Sequence, residues 1–193
     1  MQATAPTSTD VLALYARAIP IANRIVANVR PDQLDAPTPC TEWDVRALLN
    51  HTAGLNRALA AGAAGEPPPA QDADHLGDDP AAAFAAAANA AHAALRAPGG
   101  LERTYRLPWG DMAGMDLAPV YLADTVIHAW DLAKATGQPT ALDPDLCEAV
   151  LAWGRTMMRP EFRTPASGFG PELPAPAEAP VCARLAAFYG RQP

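Results

Sequence analysis

Asp116-Leu117-Ala118-Pro119-Val120-Tyr121-Leu122-Ala123-Asp124-Thr125-Val126-Ile127-His128-Ala129-Trp130-Asp131-Leu132-Ala133-Lys134-Ala135-Thr136 carries the period of an α-helix. At about 100° per residue, Leu117, Tyr121, Asp124, His128, Asp131 and Ala135 fall on one stripe, flanked by Val120 and Ile127. Gly137 and Pro139 then supply a helix stop. The stripe is apolar at both ends and polar in the middle. Asp124 and His128 stand at i and i+4, so their side chains project side by side. Burying a carboxylate and an imidazole together is costly unless something compensates. A bound cation compensates; so does an Asp–His hydrogen bond at a helix interface with no metal.

Working outward from this helix, four further helices are expected. From Asp10 to Arg30, residues Val11, Tyr15, Ala18, Ala22, Ile25 and Val29 recur at steps of four and three, which is one helix face. Pro20 inside that segment should kink or restart it. Pro37-Thr38-Pro39-Cys40 belongs to a rigid loop. Thr41 then reads as a helix cap, with Asp44 three residues on and a staple between Cys40 and Val45. Val45, Leu48, Leu49, Thr52, Leu55 and Leu59 mark the buried face of that helix. The Gly-, Pro- and Asp-rich stretch from Ala64 to Pro80 is a loop. Pro80 to Arg96 is nearly pure alanine, which has the highest helix propensity. Residues 101–114 read as extended or irregular, and Asp143 to Met158 as a fifth helix. Four long helices with polar connections point to an all-α helical bundle. We expect one domain over residues 1–160 and a Pro-rich tail over residues 161–193, with a short apolar segment at Val181 to Tyr189.

The 193 residues are half hydrophobic, enough for a real core. Lys and Arg total 14 against 21 Asp and Glu, a formal charge of -7. That balance argues against a nucleic-acid partner, whose phosphates need a basic surface, and leaves no polybasic patch for a membrane. No apolar run reaches the ~18 residues of a membrane span. Met1 to Asp10 shows no secretory pattern. The odd trio Cys40, Cys147 and Cys182 contains no CxxC and reads as reduced thiols in a cytoplasmic protein.

His51 lies mid-helix on an edge shared with Leu48 and Leu55. It reads either as a satisfied core histidine or, where that helix packs opposite the one bearing Asp124 and His128, as the second imidazole of a set of two imidazoles and a carboxylate. Such a set suits zinc, nickel, iron(II) or manganese, and three protein ligands leave a position for water or substrate. Asp131, three residues beyond His128, is either a carboxylate that orients a ligand imidazole or an interface charge. His75 falls in an acidic loop and reads as solvated. His92 is a spare candidate on the alanine helix, and Cys40 is too distant to share an ion. Trp43 and Trp130 read as core anchors. Trp109 to Met112 reads as loop packing, with the pocket mouth as the alternative.

Pro37-Thr38-Pro39-Cys40-Thr41-Glu42-Trp43-Asp44-Val45-Arg46-Ala47-Leu48-Leu49-Asn50-His51, together with Asp124 to Gly137, resembles the signatures of the mycothiol-dependent maleylpyruvate isomerase N-terminal domain family, of the DinB-like metal-binding superfamily. Phe169-Gly170-Pro171-Glu172 and Ala187-Phe188-Tyr189-Gly190-Arg191 are similar to short actinobacterial members. The resemblance implies a DinB-like up-and-down four-helix bundle with an additional helix, and a metal between helices held by His51, Asp124 and His128. Asp124 stands where relatives often carry Glu, so it reaches an ion only if the helix sits closer, or acts through water. The full isomerase has a larger C-terminal domain, which this tail is too short to replace, so maleylpyruvate isomerization is not implied.

The resemblance suggests a transferase or isomerase using a small-molecule thiol, mycothiol, against an unidentified electrophile, with no general base identifiable. Metal-dependent hydrolysis is a variant. The contrasting expectation is a non-catalytic metal-binding protein in stress response or interaction. Bundles of this superfamily often pair, so a homodimer is expected by resemblance.

Overall fold

A computed structural model describes residues 8–107, 109–164 and 168–193. Residues 1–7, most of the stretch read for a secretory signal, lie outside the described residues. The protein is mostly helical: α1 (Ser8–Ala27), α2 (Val45–Ala64), α3 (Pro80–Arg96), a hairpin of β1 (Thr104–Leu107) and β2 (Gly110–Ala113), α4 (Gly114–Ala135), α5 (Pro144–Met157) and α6 (Val181–Phe188). Among the described residues no helix is long and apolar enough to cross a membrane.

The helices follow their side chains closely. On α1, Val11, Tyr15, Ala18, Ala22 and Ile25 are buried, as their spacing predicts. Pro20 does not interrupt the helix. It sits on the exposed face, where a freed carbonyl can turn to water. The start of α2 differs from expectation. Thr41 lies in a turn closed by Trp43 N–H donating to the Cys40 carbonyl. The cap is Asp44, whose carboxylate accepts from Ala47 N–H at 2.7 Å. A β-bridge between Pro37 and Asp44 holds this entrance. The segment after α3, expected to be extended or irregular, is an antiparallel hairpin pairing Thr104 with Ala113 and Leu107 with Gly110. Trp109 lies beside its tip and is exposed.

Packing is organised around α4. Every residue from Tyr121 to Ala133 is buried, so this helix is enclosed on all sides rather than along the single stripe its periodicity suggests. α1 packs on α3 and α4, α2 packs on α3 and α4, and α5 and α6 close over the remaining side of α4. The core runs continuously from Tyr15 through Leu48, Leu117 and Leu132 to Tyr189.

Two expectations are corrected here. His75 is not solvated but buried. Its backbone N–H donates to Asn50 Oδ1 at 2.7 Å, and its ring packs where Gly54 has no side chain: a Cβ there would lie 2.5 Å from the imidazole. The cysteines are not three free thiols. Cys147 on α5 and Cys182 on α6 form a disulfide with Cα atoms 5.2 Å apart, within the usual span. Packing of α6 on α5 brings together residues 35 apart in sequence. Cys40 alone remains free, and it is buried.

Thiol titration checks the pairing. Protein denatured without reductant should react at one thiol, Cys40, and at three after reduction. Three reactive thiols before reduction would contradict the disulfide.

Candidate metal centre

His51 comes from the middle of α2, and Asp124 and His128 from consecutive turns of α4. Contact between these helices brings the three together. Asp124 Oδ1 lies 3.3 Å from His128 Nε2 and 3.6 Å from His51 Nε2. One donor atom from each residue falls within 4.8 Å of the other two. The imidazoles meet edge to face, with ring centroids 5.5 Å apart. Donors bonded to one zinc at about 2.1 Å in tetrahedral directions sit about 3.4 Å apart. The two carboxylate–imidazole separations match that spacing, and the donor set is one that divalent transition metals accept.

The site is graded in exposure. The His128 side chain is 2% exposed and that of Asp124 10%, whereas His51 is 34% exposed. Access is therefore on the His51 side. Trp43, at the entrance to α2, stacks on the His51 ring at 4.2 Å and meets the His128 ring at 5.9 Å. It covers one face of the His51 ring and meets His128 edge-on. Beneath Asp124, the buried Tyr15 hydroxyl donates to Asn56 Oδ1 at 2.9 Å. Burial and then the Asp124 charge hold that phenol well above its ordinary range.

Asp131 is wholly buried. His128 Nδ1 lies 3.0 Å from Asp131 Oδ2. With the proton on Nδ1 donated to this carboxylate, Nε2 is the nitrogen that faces Asp124 and His51. Arg191, near the C-terminus, reaches the other side of Asp131: Nη2 donates to Oδ2 at 2.8 Å and Nε to Oδ1 at 3.1 Å. Its side chain is 2% exposed. Arg191 was not foreseen. It lies 60 residues from Asp131 in sequence, and its local signals are a charge closing the apolar segment Ala186-Ala187-Phe188-Tyr189 and its place in the tail segment similar to family members, neither of which points to Asp131. Its surroundings fit a paired buried cation.

The remaining candidates stay apart from this cluster. His92 packs edge-on to Tyr15, with Nε2 3.3 Å from the Leu12 carbonyl. The Cys40 thiol lies 3.6 Å from the Gly168 carbonyl. Burial pushes it up to about 11, against the pull of Arg191, so it is not a nucleophile at neutral pH.

The charges on α4 compensate one another. Burial alone would push His128 down, but Asp124 and then Asp131 outweigh it and lift the imidazole to about 9. Burial would raise Asp124; the two histidines outweigh it and hold the carboxyl well below its usual range.

The family model described as the mycothiol maleylpyruvate isomerase N-terminal domain matches residues 15–133. That span holds His51, Asp124, His128 and Asp131, and ends before Arg191. Two uncharacterized proteins of Mycobacterium tuberculosis, from strains CDC 1551 and H37Rv, are each 42% identical over 182 residues, covering 94% of this chain and 98% of theirs. A match of that length takes in part of the C-terminal tail. No solved structure matches the chain.

Stability of the metal-free protein should depend on pH through this cluster. His128 binds its proton more tightly folded than unfolded, so its contribution is complete below about pH 6.5 and is lost as pH rises through about 9. Asp124 acts in the opposite sense, contributing above the ordinary carboxylate range of about 3.9 and losing that contribution as pH falls. Chelated protein should therefore melt highest between about pH 4 and 6.5. Its melting temperature should fall as pH is raised toward 9.5, and His128→Gln should flatten that alkaline limb. A melting temperature that holds level from pH 6.5 to 9.5 in the unsubstituted protein would contradict the assignment.

Proposed function

The chain belongs to the mycothiol maleylpyruvate isomerase N-terminal domain family, and on that premise we propose that it binds one divalent ion through His51, Asp124 and His128 and uses the site on a small-molecule thiol. The observation that carries this reading is the spacing of three donors from two helices around one point, with the exposed edge at His51. We read α1 to α4 as the DinB-like up-and-down four-helix bundle. Residues 1–160 then hold the ion, and residues 161–193 form the tail.

Zinc is the preferred ion for two imidazoles and one carboxylate, with nickel, iron(II) and manganese compatible. When bound, the ion supplies the charge that deprotonates a thiol at neutral pH. The protein's own groups do the rest. Asp124 offsets positive charge at the centre and, one methylene shorter than Glu, depends on the close approach of α4 to α2. His128, buried and hydrogen-bonded through Nδ1, presents Nε2. His51 stands at the open side with its ring held against Trp43, where an incoming thiol and then an electrophile have access. Membership of a family named for mycothiol makes mycothiol the first thiol to test, in transfer to, or isomerization of, an electrophilic partner. A non-catalytic metal-binding role and a metal-dependent hydrolase are the alternatives that the same donor set permits.

Elemental analysis of purified protein, followed by calorimetric titration with mycothiol, tests the reading. About one metal per chain is expected, with thiol binding that disappears in His128→Ala and in the more exposed His51→Ala. Metal without thiol binding would remove the thiol proposal and leave hydrolysis or a non-catalytic role. No metal after reconstitution with zinc would remove the site itself.

A further inference from the structure

We infer that Arg191 is a positioning residue for the metal centre, tying both of its histidines to the C-terminal tail; the inference rests on the metal reading above. One guanidinium makes two sets of contacts that end on different imidazoles. Through Nε and Nη2 it grips the Asp131 carboxylate, whose Oδ2 meets His128 Nδ1. That chain fixes the rotation of the His128 ring and the nitrogen it presents. Through Nη1 it donates to the Gly168 carbonyl at 2.6 Å. The same carbonyl takes the Cys40 thiol, and Gly168 packs against Cys40 and Trp43, where a Cβ would lie 3.3 Å from each. Trp43 in turn stacks on His51. Arg191 therefore braces His128 through a carboxylate and His51 through an indole.

The tail is shaped to deliver that side chain. Two of its segments run together, with Gly170 N–H donating to the Tyr189 carbonyl at 3.2 Å and Leu173 N–H to the Ala187 carbonyl at 2.9 Å. Arg163 spans both, bonding the Gly170 and Phe188 carbonyls at 2.8 and 2.7 Å. Their crossing point is Gly190 over Gly170. Gly190 has φ of +84°, and a Cβ on it would lie 2.6 Å from the Gly170 Cα, so only glycine allows the approach. Arg191 follows immediately and turns inward, with Nη1 also bonding the Tyr189 carbonyl at 2.8 Å. A clasp built only to cover apolar surface would not need to bury a forked cation against a carboxylate that itself holds a histidine. Outer hydrogen-bond partners of metal-ligating histidines commonly change affinity 10- to 100-fold when removed.

The test is zinc affinity by chelator competition and the visible absorption of the cobalt(II)-substituted protein, on the full chain. Arg191→Gln should weaken zinc by about 10-fold or more and alter the cobalt absorption envelope. Arg191→Lys, which keeps the charge without the fork, should recover part of the loss. If Arg191→Gln does not fold, Arg191→Lys carries the test alone, because it keeps a cation beside Asp131 and loses only the fork. It should melt, metal-free, close to the unsubstituted protein while showing part of the affinity loss. A purely structural Arg191 predicts the opposite pattern: a lowered melting temperature in Arg191→Gln, with zinc affinity and cobalt absorption unchanged in every folded variant. That result would overturn the inference. Failure of the unsubstituted protein to bind zinc would instead overturn the metal reading, and the inference with it.

Discussion

Two carboxylates and an imidazole lie buried within two turns of α4, and the surrounding structure is arranged to make that burial tolerable. An isolated buried charge costs several kcal/mol, so Asp124, His128 and Asp131 cannot stand alone. Asp131 is matched by Arg191. Asp124 is left facing two imidazoles. In the absence of metal its charge is offset by a proton on His128, which is why that imidazole is held so basic. A divalent ion in the same place serves the same electrostatic need and adds direct coordination. On the proposed metal reading, the proton and the ion compete for one position.

This constraint explains the position of α4 in the fold. A helix with a polar centre needs neighbours on every side that supply partners as well as apolar cover. α2 brings His51, the loop before α2 brings Trp43, α1 brings Tyr15, and the tail after α6 brings Arg191. The disulfide between Cys147 and Cys182 anchors α6 to α5, nine residues before that arginine. The same enclosure leaves His51 as the exposed edge and directs any incoming ligand to it.

The sequence made the helices and the three donors legible for local reasons. Asp124 and His128 announce themselves by an i, i+4 spacing on an otherwise apolar stripe, and the alanine run from Pro80 to Arg96 can be little else than a helix. His51 needed both its place on the edge of an apolar face and the family's signature. What escaped depends on contacts between distant segments. Arg191 meets Asp131 across 60 residues, and Cys147 meets Cys182 across 35; neither pair leaves a periodic trace. His75 looked solvated because its loop is acidic, yet a missing Cβ at Gly54, 21 positions earlier, makes room for the ring. Sequence alone sets the cap of α2 three residues early, because Thr41 and Asp44 both offer a side-chain oxygen and only the turn at Cys40 to Trp43 decides between them.

The central claim is that a divalent ion sits among two imidazoles and a carboxylate, and X-ray absorption at the zinc edge of the zinc-loaded, thiol-free protein tests it most directly. The account predicts a first shell of nitrogen and oxygen only, at about 2.0–2.2 Å, with outer-shell scattering from two imidazole rings. A sulfur scatterer near about 2.3 Å, which would bring in a cysteine, or a shell without imidazole scattering, would contradict it.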